Sequence, residues 1–175
     1  LQDPTRAAMD LIRGSLIMAR SRTKILFLTS EVYPLVKTGG LADVSASLPA
    51  ALRSLDLDVR ILLPGYADVL RQLAHSRKVG LISNVSGYYP DCVLRTSHLP
   101  GADVPLLLLD CPELYNHASG PYQDNAGEDL PHNHMRFGLL GYVAAILASD
   151  ASPLTWRPDI VHCNDWQSGL APAYL

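Results

Sequence analysis

Lys37, Thr38, Gly39, Gly40, Leu41, Ala42, Asp43 and Val44 stand between an apolar strand candidate and an amphipathic helix candidate. Residues of these types in this order suit the binding of a phosphate or carboxylate. Gly39 and Gly40 have no Cβ, so their backbone can take positive φ and bring N–H groups close to a ligand. A helix starting near Leu41 adds amide donors that have no partner in the helix, together with the positive end of its dipole. Lys37 supplies a mobile positive charge. The same residues also read as a glycine turn into a helix with a solvated lysine, and the physical features alone weigh the two readings equally. Asp43 falls in the first turn of that helix, where the dipole favours a carboxylate whatever else it does. The second candidate is Asp165, which follows the apolar segment Asp159 to Cys163 and opens a helical stretch. Its carboxylate can cap that helix or face a ligand.

The elements that must position these groups follow from hydrophobic period. Lys24 to Ser30 is a continuous apolar run of the kind found in strands buried on both faces. From Leu41 a stripe of Leu41, Val44, Leu48, Leu52 and Leu55 predicts a helix with Asp43, Ser47 and Arg53 off its buried face, and Pro49 inside it predicts a kink or break. Asp58 to Pro64 is a second strand ended by a Pro-Gly turn. Val79 to Asp110 breaks into short β-leaning pieces, the most apolar being Val104 to Leu109, and predicts a hairpin or meander. The polar stretch from Ser119 to Pro131 is longer than most connections and is expected at the mouth of a site. Asn133 to Ser149 is apolar nearly all round and reads as a largely buried helix. Alternating strands and helices predict a doubly wound, parallel, Rossmann-like α/β sheet. In such a sheet ligands bind beyond the carboxyl ends of the strands, where both the Lys37 loop and Asp165 belong.

Two common phosphate loops do not fit. A P-loop needs Lys after its last glycine, and a dinucleotide fingerprint needs three spaced glycines. The run from Ser30 to Val44, Ser-Glu-x-x-Pro-x-x-Lys-Thr-Gly-Gly-Leu-Ala-Asp-Val, instead resembles the N-terminal signature of bacterial glycogen synthases and plant starch synthases. His162-Cys-Asn-Asp-Trp-Gln-Ser-Gly-Leu is similar to the family's segment whose aspartate lies beside the transferred glucose, which implies that role for Asp165. Tyr122, in Gly-Pro-Tyr-Gln-Asp, matches a family loop whose tyrosine lies near sugar and acceptor; its flat ring also suits sugar C–H groups, and a buried structural tyrosine is the alternative. The resemblance implies that Lys37, Gly39, Gly40, Asp43, Glu31 and Asn133 serve the phosphate and sugar of ADP-glucose. The family usually shows Asp-Asn-x-x-Arg-Phe where this chain reads His132-Asn133-His134-Met135-Arg136-Phe137. The aspartate is missing, which leaves Asn133 as a helix cap and Arg136 as an ion-pair partner.

The resemblance extends from about Lys24 to Leu175 and implies the N-terminal half of a two-domain GT-B transferase, residues 23–175, preceded by an extension or upstream sequence over 1–22. The implied reaction is retaining transfer of glucose from ADP-glucose to the non-reducing end of an α-1,4-glucan. The fragment is expected to be inert alone, because the family draws most nucleotide contacts from its second domain. A transferase using another nucleotide sugar and a non-catalytic glucan-binding module are the alternatives.

Composition excludes other classes. A net charge of -3 with 14 Lys plus Arg gives no footprint for nucleic acid or an anionic membrane. No apolar run approaches the roughly 20 residues that span a bilayer. Three cysteines without Cys-x-x-Cys spacing suit reduced cytoplasmic thiols. His132, His134 and His162 lack a matching carboxylate spacing, so neither a metal nor a cofactor is expected.

Overall fold

Leu26, Phe27 and Leu28 are consecutive and all fully buried, so both faces of the strand that carries them, β1 (Lys24–Leu28), are covered. The computed structural model describes residues 22–83, 87–116 and 120–175. All but Arg22 of the expected N-terminal extension lies outside them.

β1 lies between two parallel neighbours, β2 (Asp58–Pro64) and β6 (Ile160–Cys163). The meander forms as expected, as β3 (Arg77–Ile82), β4 (Cys92–His98) and β5 (Pro105–Asp110). The sheet order is β3-β4-β5-β2-β1-β6. It is therefore mixed rather than wholly parallel: β5, β2, β1 and β6 run parallel, while β4 is antiparallel to both β3 and β5. The short return from His98 to Pro105 dictates this, because a parallel crossover needs a dozen or more residues. Leu28 is level with Leu62 on one side and Cys163 on the other. The segments that leave β1, β2 and β6 consequently emerge along one edge.

Helix α1 (Leu41–Ser54) packs on this sheet through part of the expected stripe, Leu48 and Leu52, together with smaller residues beside it. Its buried residues are Ala42, Ser45 and Pro49, while Val44 and Leu55 are 47% and 71% exposed. Small side chains turned inward let the helix lie close to the strand ends. The break expected at Pro49 does not occur, and α1 is continuous through it. Two short helices carry no clear period and were not expected: α2 (Ala67–Gln72) and α3 (Pro112–Tyr115).

Helix α4 (Asn133–Ala148) is the expected buried one, with Phe137, Leu139, Leu140, Val143, Ala144 and Leu147 in the core. After β6 come a 3-10 turn, Trp166–Ser168, and a short helix α5, Ala171–Tyr174, in place of one continuous helix. Gly141 sets their distance from α4. A Cβ there would lie 2.9 Å from the Ala171 amide nitrogen, so only glycine admits this approach.

Candidate active site

The chain leaving β1 turns inward. Thr29 and Ser30 are fully buried and Glu31 nearly so. The Glu31 carboxylate accepts the Thr38 hydroxyl at 2.6 Å, the Thr38 amide at 2.6 Å, the Gly39 amide at 3.4 Å and the Tyr122 hydroxyl at 2.6 Å. The loop amides expected to face a ligand's anion thus face the chain's own carboxylate. Burial by itself would push the Glu31 carboxyl up. The hydrogen bonds from Thr38, Tyr122 and Gly39 outweigh it, and the carboxyl sits below its ordinary value of 4.5.

A carboxyl held down in this way stabilises the fold above its unfolded pKa, and the benefit fades as pH falls through the folded value. Glu31→Gln is therefore expected to melt lower than the parent at neutral pH. The gap should narrow as pH is lowered from about 6 to about 3, read by thermal melts of the full-length protein across that range. A gap independent of pH would remove the ionised carboxylate from this role.

The glycines also differ from expectation. Gly40 has φ of -70°, and neither it nor Gly39 is among the residues of positive φ. A Cβ at either position would meet nothing within 4 Å. Their value is open space over the loop rather than a left-handed backbone. Lys37 reaches the Asp43 carboxylate at 2.6 and 2.5 Å and lies 5.8 Å from the Tyr33 ring centre. All three side chains are exposed, so the pair adds only about 0–1 kcal/mol. A cavity of about 270 Å³, lined by Leu35, Lys37, Thr38, Tyr66, Gln72 and Pro121 among others, opens beside the loop.

Across the same edge, Asn164 donates to Ser45 Oγ at 3.0 Å, and Ser45 shares a 2.8 Å hydrogen bond with Thr29. The end of β1, the second turn of α1 and the segment after β6 are tied together by these two bonds. Asp165 comes next. Its Oδ1 accepts the Trp166 amide at 2.7 Å, so the cap reading is realised. Its backbone, however, has φ 65° and ψ 177°, a region occupied almost only by glycine that costs of order 1–3 kcal/mol. Capping does not require such a conformation. The exposed Oδ2 has no donor among the described residues, and the neighbouring Trp166 is 62% exposed. The fold thus holds a strained, open carboxylate on the edge that carries Lys37.

Tyr122 joins both halves. Its hydroxyl meets Glu31, Ser30 at 2.8 Å and the Gln167 amide at 3.0 Å, and its ring lies 6.2 Å from Trp166 and 5.9 Å from Phe137. Burial first, and then its bond to the Glu31 carboxylate, pushes the phenol well above its ordinary value, so it stays protonated. Asn133 sits behind it. The residue capping α4 is His132, in a left-handed conformation with φ 64°, not Asn133. The Asn133 amide donates to the Tyr122 carbonyl at 2.9 Å and accepts from Arg136 at 2.7 Å, so both its ends are engaged. Arg136 is fully buried and forms no ion pair among the described residues. Its other bonds go to the Leu114 and Pro121 carbonyls, each at 2.8 Å.

Lys37, Asp43, Glu31, Gly39, Gly40, Tyr122, Asn133 and Asp165 thus gather around one sheet edge. Sequence reasoning gave no role to Ser30, Ser45, Asn164 and Gln167, which with Thr38 bind them together. Each is a neutral polar residue within two positions of a candidate, and only the hydrogen-bond geometry singles it out.

Residues 24–175 match the family model described as starch synthase catalytic domain. The chain is 54% identical over 154 residues to the glycogen synthase of Nitrosospira multiformis, covering 86% of this chain and 31% of that protein. It is 54% identical over 160 residues to the glycogen synthase of Nitrosomonas europaea, covering 90% and 32%. It is similar in fold to the catalytic domain of starch synthase IV from Arabidopsis thaliana bound to ADP and acarbose, with a TM-score of 0.62 and 24% identity, over 86% of this chain and 29% of that one. The chain spans about a third of the length of the curated relatives it matches.

Proposed function

This chain belongs to the starch synthase catalytic domain family, and on that footing we propose that the protein carrying it transfers glucose from ADP-glucose to the non-reducing end of an α-1,4-glucan with retention. The observation that supports this most is that a cation, Lys37, on the segment leaving β1 and an exposed carboxylate, Asp165, on the segment leaving the neighbouring β6 stand at the same end of the sheet. Glycosyl transfer builds positive charge on the sugar and negative charge on the departing phosphate, and groups of these two signs stabilise them. In this reading the Lys37 ammonium exchanges Asp43 for a donor phosphate, with the dipole of α1 behind it and the side-chain-free Gly39 and Gly40 leaving room. Asp165 lies beside the glucose, and Asn133 acts by fixing Tyr122. The same reaction needs no metal ion or cofactor. The ADP held by the Arabidopsis relative supports an ADP-linked donor. We place the protein in the cytoplasm, which the free thiols of Cys92, Cys111 and Cys163 suit.

The test uses the full-length protein with ADP-glucose or UDP-glucose and maltooligosaccharides. Turnover with ADP-glucose and an α-configured product are expected. Glucan binding without turnover of any nucleotide sugar would favour a binding module instead. Gly39→Val adds the local check. Because a Cβ at Gly39 touches nothing in the chain, folding is expected to be kept while the donor KM rises about tenfold or more as the side chain fills the ligand's space. An unchanged donor KM would move the phosphate away from this loop.

A further inference from the structure

A phenolic hydroxyl has one hydrogen to give and two lone pairs to receive with. Tyr122 meets three partners: Glu31 Oε1 at 2.6 Å, Ser30 Oγ at 2.8 Å and Gln167 Nε2 at 3.0 Å. The Glu31 carboxylate only accepts, so the phenolic hydrogen goes to it. The Gln167 amide nitrogen only donates, which fills one lone pair. Ser30 is then left to donate into the other. The hydroxyl is saturated by the protein and has nothing left for a sugar hydroxyl or a phosphate oxygen.

Gln167 is 3% exposed and its Oε1, also buried, has no partner among the described residues. Leucine would fill similar space without stranding a carbonyl oxygen, so what the amide brings is its donor to Tyr122. From Glu31 the chain of bonds continues to the Thr38 hydroxyl and amide, next to Lys37. Gln167 lies two residues from Asp165 within the same turn.

Building on the transferase reading above, we propose that the Tyr122 hydroxyl touches no substrate and is a clamp, with Gln167 and Glu31 as its jaws, that fixes the Asp165 turn against the Lys37 loop. Tyr122 can still present its ring to ligand. Its hydroxyl and the Gln167 amide are positioning groups, and they act on turnover through the relative placement of Asp165 and Lys37.

The experiment uses the full-length enzyme with Tyr122→Phe, Gln167→Leu, their combination and Gln167→His. Each single variant is expected to lower kcat on the order of tenfold, since small displacements of reacting groups cost that much or more. The double variant should be little worse than the stronger single, because both break one clamp. Gln167→His should recover most of the loss, since an imidazole N–H can donate to the same hydroxyl. With a series of deoxyglucose donors, Tyr122→Phe should cost the same factor for each. A loss that vanishes for one deoxy donor would mean that the hydroxyl touches that position of the sugar, and would overturn the proposal. So would full activity in Gln167→Leu. A second cycle, on the melting temperature, needs no turnover: coupled shifts support the clamp and additive shifts overturn it. Failure of the parent enzyme to use any nucleotide sugar would instead sink the transferase reading and leave that second cycle standing.

Discussion

Asp165→Asn in the full-length enzyme is expected to cut turnover of ADP-glucose with glycogen about a hundredfold or more while leaving the thermal melt almost unmoved, a loss typical of removing one well-placed electrostatic group. The two halves of that expectation separate the roles of one carboxylate. Asparagine caps a helix about as well as aspartate, so the bond from the Trp166 amide to Oδ1 survives the change. Asparagine has the same branching as aspartate, so the conformation at φ 65° and ψ 177° strains the two side chains about equally. What disappears is the negative charge that the proposed role sets against the developing oxocarbenium ion. Kinetics alongside a melt decide the matter. Turnover near that of the parent in a well-folded variant would reduce Asp165 to a cap.

Arg136→Met is expected to show the opposite pattern, a large loss of stability from a residue that meets no substrate. The guanidinium is fully buried, donates to the Leu114 and Pro121 carbonyls and to Asn133, and lies 5.8 Å from the Tyr66 ring and 5.7 Å from that of Phe137. Methionine fills much of the space but leaves these acceptors buried without donors, at about 1–3 kcal/mol each. Relief of the buried charge offsets part of that. A net loss of about 3 kcal/mol would lower the first unfolding transition of the full-length protein by roughly 6–12 °C. Arg136→Lys should not rescue it, because one ammonium cannot span three acceptors held by a planar fork. A melt within about 2 °C of the parent would show that the Tyr122 loop is held by something other than this arginine.

The contrast between these two residues shows what the sequence could carry. The strands β1, β2 and β6 were legible because a doubly buried parallel strand is a continuous apolar run, and the meander because turn residues punctuate it. The buried face of α1 was legible only in part, through Leu48 and Leu52. Its large apolar residues drew the stripe, whereas the fold buries Ala42, Ser45 and Pro49, whose small size suits a close approach. Lys37, Glu31, Tyr122 and Asp165 were legible through the family resemblance, and the topology brings them to one edge. The partner of each was not legible. That Glu31 occupies the loop amides depends on a chain reversal between Ser30 and Thr38, and that Arg136 serves carbonyls depends on where the loop after Gly120 passes. Hydrogen bonds from a side chain to backbone far away in sequence have no such signature.

The seating of β1 between β2 and β6 also bears on how the chain acquires its fold. The Lys24 amide donates to Asp159, 135 residues away, and only the arrival of β6 gives β1 its second neighbour. At ribosomal speeds of about 5–20 residues per second, on the order of ten seconds separate synthesis of these two strands. During that interval β1 and β2 can pair through α1, but one edge of an apolar strand stays open. Such non-local pairing is slow in closing and exposes the chain to association while it waits. The pairing that carries Asp165 to the edge where the chain leaves β1 therefore forms only once β6 has been made, so the site is assembled as β1 gains its second neighbour.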